Sequence, residues 1–310
     1  MTPAPEPMDP QAPSAAIAQI ADGWGLTLAG PAGSRYSETW FARRGDEHVV
    51  LKVGDPLARR REAAALRAYG GGRGAPVCLL LEHDEQRGAL LLERVLLGDD
   101  LRPLARRDDD AATALAASLM VELQGAAGVP GAARAAGARR GLDTAGGGAW
   151  DELPHLSMLA ATFERYWRGP EHPLPPALVR SAERLALELT APAAADAALH
   201  GDLNHGNILR AGLGDAADRW RAIDPHGWVG DPVFDAAAFL LNPTDVLADH
   251  PTPARLVRRR ARILAEGTGW DYERLLAWAF VGAVVSELWC WEDHGLIAGG
   301  PLRLATQLHH

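Results

Sequence analysis

The sequence predicts an α+β fold in two lobes, a small one built on an antiparallel sheet with one helix and a larger, mainly helical one. Three observations carry that expectation. The chain has 310 residues, more than one hydrophobic core usually encloses, since single cores stop growing at roughly 250 to 300 residues. The first third alternates short β-branched and aromatic runs with turn-forming clusters. Beyond residue 97 the pattern changes to long Ala- and Leu-rich segments of helical period. At 47% hydrophobic and 23% charged the composition is that of a globular protein. The expected division is a Pro-rich, frayed segment 1–14, a first lobe 15–97 and a second lobe 98–310.

From about Trp24 the chain reads as strands: "GLTLAG", "ETWFARR" and "HVVLKVG", separated by Gly, Pro and Ser clusters. "DPLARRREAAALRAYG" follows as a helix, with an Asp-Pro start and a terminal glycine as C-cap. "APVCLLLEHDEQRGALLLERV" holds two apolar runs about a polar turn, a hairpin whose second strand ends at Glu93-Arg94. After "LLGDDLRPL", the segment "DDDAATALAASLMVELQG" opens with three aspartates, which favour a helix N-terminus. Residues 125–149 are rich in Gly and Ala and read as a surface loop. Helical patterns return at 151–168, 176–190, 232–241, 253–266 and 271–292, with "RWRAID" as a return strand. No internal repeat is present.

The formal net charge of −9 argues against a nucleic-acid-binding surface, because phosphate backbones are held by clustered Lys and Arg. Only Arg59-Arg60-Arg61 and Arg258-Arg259-Arg260 form basic runs. Cys78 and Cys290 both stand in apolar surroundings without metal-type spacing, as buried free thiols of a reducing compartment would. The N-terminus lacks the basic and apolar regions of a secretory signal, so the expected location is cytoplasmic. The longest apolar run, Leu275 to Val285, is far short of the roughly 20 residues of a membrane span and reads as a buried helix. The expected state is a monomer, with a dimer as the alternative.

The chemistry is concentrated in "LHGDLNHGNILR" and, shortly after, "AIDPHGWVGDP". Phosphoryl transfer from ATP needs metal ions on the phosphates, a group that positions or deprotonates the acceptor hydroxyl, and a cation on the nucleotide's own charge. Mg²⁺ prefers oxygen ligands and keeps several waters, so Asn207 and Asp224, one amide and one carboxylate, make a suitable partial site. Asp202, on the same loop as Asn207, is placed to accept the hydroxyl proton. Lys52 lies inside an apolar strand, where a charge needs an anionic partner. Glu62, on the following helix, could pair with it, with Glu38 and Glu47 as rival acids. The alternatives are that Lys52 protects an edge strand, that Glu62 is solvated, and that Asp231 and Asp235 cap a helix after "WVG".

These motifs, with "LKV", "REAAAL" and "LLLERV" upstream and "LLNP" at 240–243, resemble the aminoglycoside phosphotransferases, over roughly residues 35–295. The likeness is to the branch of the streptomycin 6-phosphotransferases and hydroxyurea phosphotransferases. It implies a protein-kinase-like fold, with Asp202 catalytic, Asn207 and Asp224 as magnesium ligands, and Lys52 with Glu62 on the nucleotide phosphates. It further implies a hinge from Glu93 to Leu97, Val95 included, whose backbone meets adenine, and a structural role for Asp235. His200-Gly201 stands where protein kinases carry His-Arg, a departure that suits small-molecule kinases. The nucleotide loop "LAGPAGSRYSETW" has no G-x-G-x-x-G; Gly30, Gly33, Ser34 and Ser37 are the expected substitutes.

The acceptor is expected to be a small cationic molecule, an aminoglycoside of the streptomycin type. Glu287 and Trp291 share a helical face, as do Trp289 and Glu292, and an acid beside an aromatic ring holds a guanidinium or ammonium group. Asp231 and Asp293 would add negative charge. The alternative is that these tryptophans are core. Other readings are a kinase of the same fold acting on a sugar amine, a choline-like compound or hydroxyurea, and a nucleotide-binding pseudokinase.

Overall fold

The computed structural model describes residues 12–33, 37–70, 74–127, 150–191, 196–212 and 219–309. The chain begins with α1 (Ala15–Gly23), β1 (Thr27–Pro31), β2 (Glu38–Arg44), β3 (Glu47–Val53), α2 (Pro56–Ala68), β4 (Leu80–Asp84) and β5 (Ala89–Glu93). The five strands form an antiparallel sheet in the order β1-β2-β3-β5-β4. Strand alternation sorts its two faces. Trp40, Leu51 and Ala89 pack with Ile17 and Ile20 of α1 on one side, while Leu90 and Leu92 belong to the large core that includes Ala63 to Leu66 of α2 on the other. The three strands, the helix and the hairpin follow the sequence closely. Asp55 caps α2 by accepting from the Ala58 amide.

Helix α1 is not legible as a helix in the pattern that starts at Trp24. Its signals are Ser14, whose hydroxyl accepts from the Ile17 amide, and the buried Ile17, Ile20 and Ala21. Of the segment expected to fray, residues 1–11 lie outside the described residues. The expected 125–149 loop is corrected at its start, because residues 125–127 complete α4; residues 128–149 lie outside the described residues.

The remainder comprises β6 (Leu97–Asp100), α3 (Arg102–Arg107), α4 (Asp109–Ala127), α5 (Leu159–Arg168), α6 (Pro176–Leu189), β7 (Ala197–Leu199), β8 (Ile208–Ala211), β9 (Arg219–Ala222) and β10 (Trp228–Gly230). It ends with α7 (Asp235–Leu240), α8 (Thr244–Asp249), α9 (Pro253–Thr268), α10 (Tyr272–His294) and α11 (Gly300–Leu308). Two small sheets, β6-β8-β9 and β10-β7, flank the loop from His200 to Asn207. Strand β9 is the return strand expected at "RWRAID"; the other pairings, of three or four residues, carry too little periodicity to be read from sequence.

Of the second basic run, one arginine is buried and another is paired at the surface. Arg260 is fully buried and pairs with Asp109 at the start of α4, and Arg259 pairs with Asp110. Helix α10 is long and apolar enough by composition to cross a membrane. Here it packs against α5, α6, α7, α9 and α11, and residues such as Trp278, Val281 and Val284 are fully buried. Cys78 is buried as expected, whereas Cys290 on α10 is only half-buried.

Candidate active site

Lys52 sits on β3, a central strand rather than an edge, and projects to the α2 side of the sheet. Its ammonium donates to both carboxylate oxygens of Glu62, at 3.0 and 2.9 Å. Lys52 is 5% exposed and Glu62 2%, so the pair is buried. Burial lowers the Lys52 pKa from the ordinary lysine value, and the Glu62 charge opposes that shift. The rival acids are engaged elsewhere: Glu38 accepts from the Ser14 amide and the Trp40 indole, and Glu47 pairs with Arg44. The lysine ammonium also contacts the Asp224 carboxylate. Strand pairing, helix phase and the returning strand thus deliver three predicted residues to one point.

Asp202 leaves β7 on a loop that is pinned from below. Its carboxylate accepts from the side-chain amides of Asn204 and Asn207, each at 3.0 Å, and Asn207 also donates to the Asp202 carbonyl at 2.8 Å. With its amide nitrogen turned inward, Asn207 keeps its amide oxygen for another partner. Burial raises the Asp202 pKa above the ordinary aspartate value, with His226 and the two asparagines pulling it back. His226 lies 3.9 Å from the carboxylate. A base with a raised pKa and an oriented oxygen is what proton abstraction from an alcohol requires.

His200 and Asp235 hold the loop in register. Asp235 accepts from the amides of His200 and Gly201, at 2.9 and 2.7 Å. His200 donates from Nε2 to the Ile223 carbonyl at 2.8 Å and accepts on Nδ1 from the Asp202 amide. It therefore ties Asp202 to the residue preceding Asp224. Burial drives its pKa down to about 3, so the ring is neutral. Gly201 has φ +83°, and a Cβ there would lie 2.5 Å from the Trp228 ring, which excludes the arginine of protein kinases on steric grounds. Asp224 has φ 65°, a left-handed conformation that aspartate tolerates better than most residues.

Burial pushes the Asp235 carboxyl up to about 7, against the two amides it accepts from. The unfolded reference lies near 3.8, so between those values the folded protein binds more protons than the unfolded chain. The stability this group confers is full below pH about 4 and is lost as pH rises toward 7. Urea titrations should show wild-type stability falling across that window relative to Asp235→Asn; parallel curves would contradict the assignment.

On the nucleotide side, Ser34 lies outside the described residues, and Ser37 shares a hydrogen bond with Thr39 at 2.9 Å. Glu93 is a brace: its carboxylate accepts from Arg221 at 2.6 Å and from the Leu79 amide at 3.3 Å, and its own amide donates to the Leu79 carbonyl. The Glu93 side chain is thus committed within the protein, and the expectation for this segment concerns its backbone. Val95, in the segment expected to be the hinge, is buried against the main core.

Residues 149–295 match the family model described as aminoglycoside/hydroxyurea antibiotic resistance kinase. The chain is 31% identical to the streptomycin 6-kinase of Streptomyces glaucescens over 283 residues, 90% of this chain and 83% of that one. The chain belongs to this kinase family. It is also 33% identical to the hydroxyurea phosphotransferase of Kitasatospora aureofaciens, over 89% of this chain and 73% of that one. In fold, it is similar to a choline/ethanolamine kinase family protein from Mesorhizobium loti, with a TM-score of 0.62 at 16% identity, covering 94% of this chain and 90% of that one. A thermostable mutant of the aminoglycoside phosphotransferase APH(4)-Ia aligns with a TM-score of 0.60 at 16% identity, covering 93% and 96%.

Within this family frame, the residues expected to bind the acceptor divide. Asp231 is not available: it caps the turn at Val233 and accepts from Arg274 at 2.6 Å and from the Trp278 indole. That is the capping alternative, extended into a brace between the segment after β10 and α10. Glu287 is fully buried and accepts from the amides of Ala298, Gly299 and Leu302, at 2.8, 2.7 and 2.9 Å. Its carboxylate thus caps α11, where the helix dipole favours a negative charge. Trp291 and Glu292 do line a cavity of about 190 Å³ between α5 and α10, with Thr162, Arg165, Tyr166 and Glu171. Arg165 occupies Glu292 there, at 2.5 and 3.0 Å. This cavity lies roughly 20 Å along α10 from Trp278, at about 1.5 Å per residue. Trp289 donates to Thr162 at 3.3 Å.

Glu287→Gln leaves one amide oxygen for three N–H donors, turns its NH₂ against at least one of them, and removes the charge. Expected is a loss of about 2 to 3 kcal/mol of stability, as for hydrogen bonds to a buried charged group, with KM for the acceptor unchanged. Denaturant titration and steady-state kinetics check the two parts; a raised acceptor KM at unchanged stability would return Glu287 to the substrate site. Sequence reading also passed over His226 and Asn204. The signal for both was adjacency, two residues from Asp224 and from Asp202 respectively.

Proposed function

We propose that this chain transfers the terminal phosphoryl group of ATP to a hydroxyl of a streptomycin-type aminoglycoside, and so inactivates the antibiotic. The observation that carries the reading is the meeting of Lys52, Glu62 and Asp224 beside a loop on which Asn207 and Asn204 orient Asp202. Asp202 takes the proton of the attacking hydroxyl. Lys52, held by Glu62, neutralises charge on the nucleotide phosphates, and Asn207 and Asp224 offer two hard oxygen donors of the kind Mg²⁺ accepts while keeping waters and phosphate ligands. When bound, the magnesium ion neutralises phosphate charge. The lobes 15–97 and 98–310 close on the nucleotide from two sides, with the hinge backbone beyond Glu93 toward adenine. A reducing, ATP-containing cytoplasm is the setting we assign.

The names of the streptomycin 6-kinase relatives support the acceptor class. The similarity to a hydroxyurea phosphotransferase favours a second reading, in which the acceptor is a small uncharged N-hydroxy compound. Incubation with ATP and Mg²⁺ against streptomycin, other aminoglycosides, amino sugars, choline and hydroxyurea, read by mass spectrometry, separates them. A phosphorylated streptomycin product is expected; turnover of hydroxyurea alone would favour the second reading, and no product from any acceptor would overturn both.

A further inference from the structure

Glu62 serves two cations. Besides Lys52, the guanidinium of Arg59, one turn earlier on α2, reaches it, with Nη1 2.7 Å from Oε2. That distance suits charge pairing, but the alignment makes no hydrogen bond: both Nε and Nη1 of Arg59 are buried without an acceptor. The side chain is 11% exposed. Buried guanidinium donors without acceptors are costly and point to a missing partner. The neighbourhood says what kind. Lys52 contacts both Glu62 and Asp224, so the cluster holds two cations and two carboxylates. The turn of α2 that follows packs on the loop after Asp224, since a Cβ at Gly227 would lie 2.8 Å from the Arg61 carbonyl. A divalent ion held by Asp224 would leave Lys52 and Arg59 sharing only Glu62, an excess of one positive charge beside the carboxylate expected to hold the metal.

We propose that Arg59 is a second phosphate-binding cation, which leaves Glu62 to contact the terminal phosphoryl group of ATP and so favours triphosphate over diphosphate. This rests on the ATP-dependent reading given above. A planar fork of donors matches a phosphoryl group better than a lysine does.

The test is calorimetric titration, with Mg²⁺, of ADP and of a non-hydrolysable ATP analogue into wild type, Arg59→Gln and Arg59→Lys. Arg60→Gln, an exposed neighbour paired with Glu85 and Glu152, is the control. Arg59→Gln is expected to weaken the triphosphate by about 10-fold or more, the scale of a charge-assisted contact, while ADP changes by less than about 2-fold; Arg59→Lys should keep part of the preference. Equal weakening of both nucleotides, or an unchanged ratio, would show a merely structural Arg59 and overturn the proposal. Should Arg59→Gln fail to fold, Arg59→Lys decides: a reduced ATP-to-ADP preference supports the proposal, and an unchanged one overturns it. Wild type that binds neither nucleotide would overturn the ATP reading itself, whereas nucleotide binding with an unaltered ratio in the variants sinks this inference alone.

Discussion

Asp202→Asn is expected to lower kcat by about 10²- to 10⁴-fold, the usual worth of a general base, with nucleotide affinity little changed. The substitution keeps the shape of the side chain and removes its basicity. The loop should survive it, because its register is set by other bonds: Asp235 holds the amides of His200 and Gly201, and His200 holds Ile223. A fall in kcat at constant KM for ATP therefore reads as a lost proton acceptor rather than a displaced site. Near-normal turnover would remove Asp202 from the chemistry. The raised pKa of Asp202 adds a direction: the acid limb of the wild-type rate profile should lie above the ordinary aspartate range.

Asp224→Ala is expected to weaken Mg²⁺-dependent nucleotide binding by about 10- to 100-fold, the range seen when a metal site is disturbed, and to leave weak, Mg²⁺-independent binding in place. Lys52 would keep Glu62 as its buried partner, so the sheet and α2 should stay intact. The left-handed backbone at Asp224 predicts a second effect: alanine tolerates positive φ less well than aspartate, so the variant should also lose about 1 kcal/mol or slightly more. Calorimetry with and without Mg²⁺ separates the two. Unchanged binding would rule out Asp224 as a metal ligand.

What the sequence made legible follows from how locally each feature is determined. Lys52 and Glu62 were readable because strand alternation and helix phase, both short-range, fix their side of the sheet and helix. Asp202, Asn207 and Asp224 were readable because the loop and the returning strand carry a motif of fixed spacing. Glu287 and Asp231 were misassigned for a different reason. Helical spacing shows which residues share a face, but not what that face meets. The partner of Glu287 is α11, a helix with no strong sequence signal, and its first amides close over the carboxylate. Asp231 is claimed by Arg274 and Trp278 from a helix more than forty residues on. The bracing of the Glu93 carboxylate by Arg221 of β9 was likewise not visible in the sequence. Contacts of long sequence separation decided all three.

The account stands on the arrival of Asn207 and Asp224 at one cation, with Lys52 behind it on the phosphates. A crystal structure with ADP and Mn²⁺, read by anomalous scattering, tests this most directly. A divalent ion that counts both Asn207 and Asp224 among its ligands, with the diphosphate beside Lys52, is the predicted result. An ion held by neither residue, or a nucleotide bound away from Lys52, would contradict it.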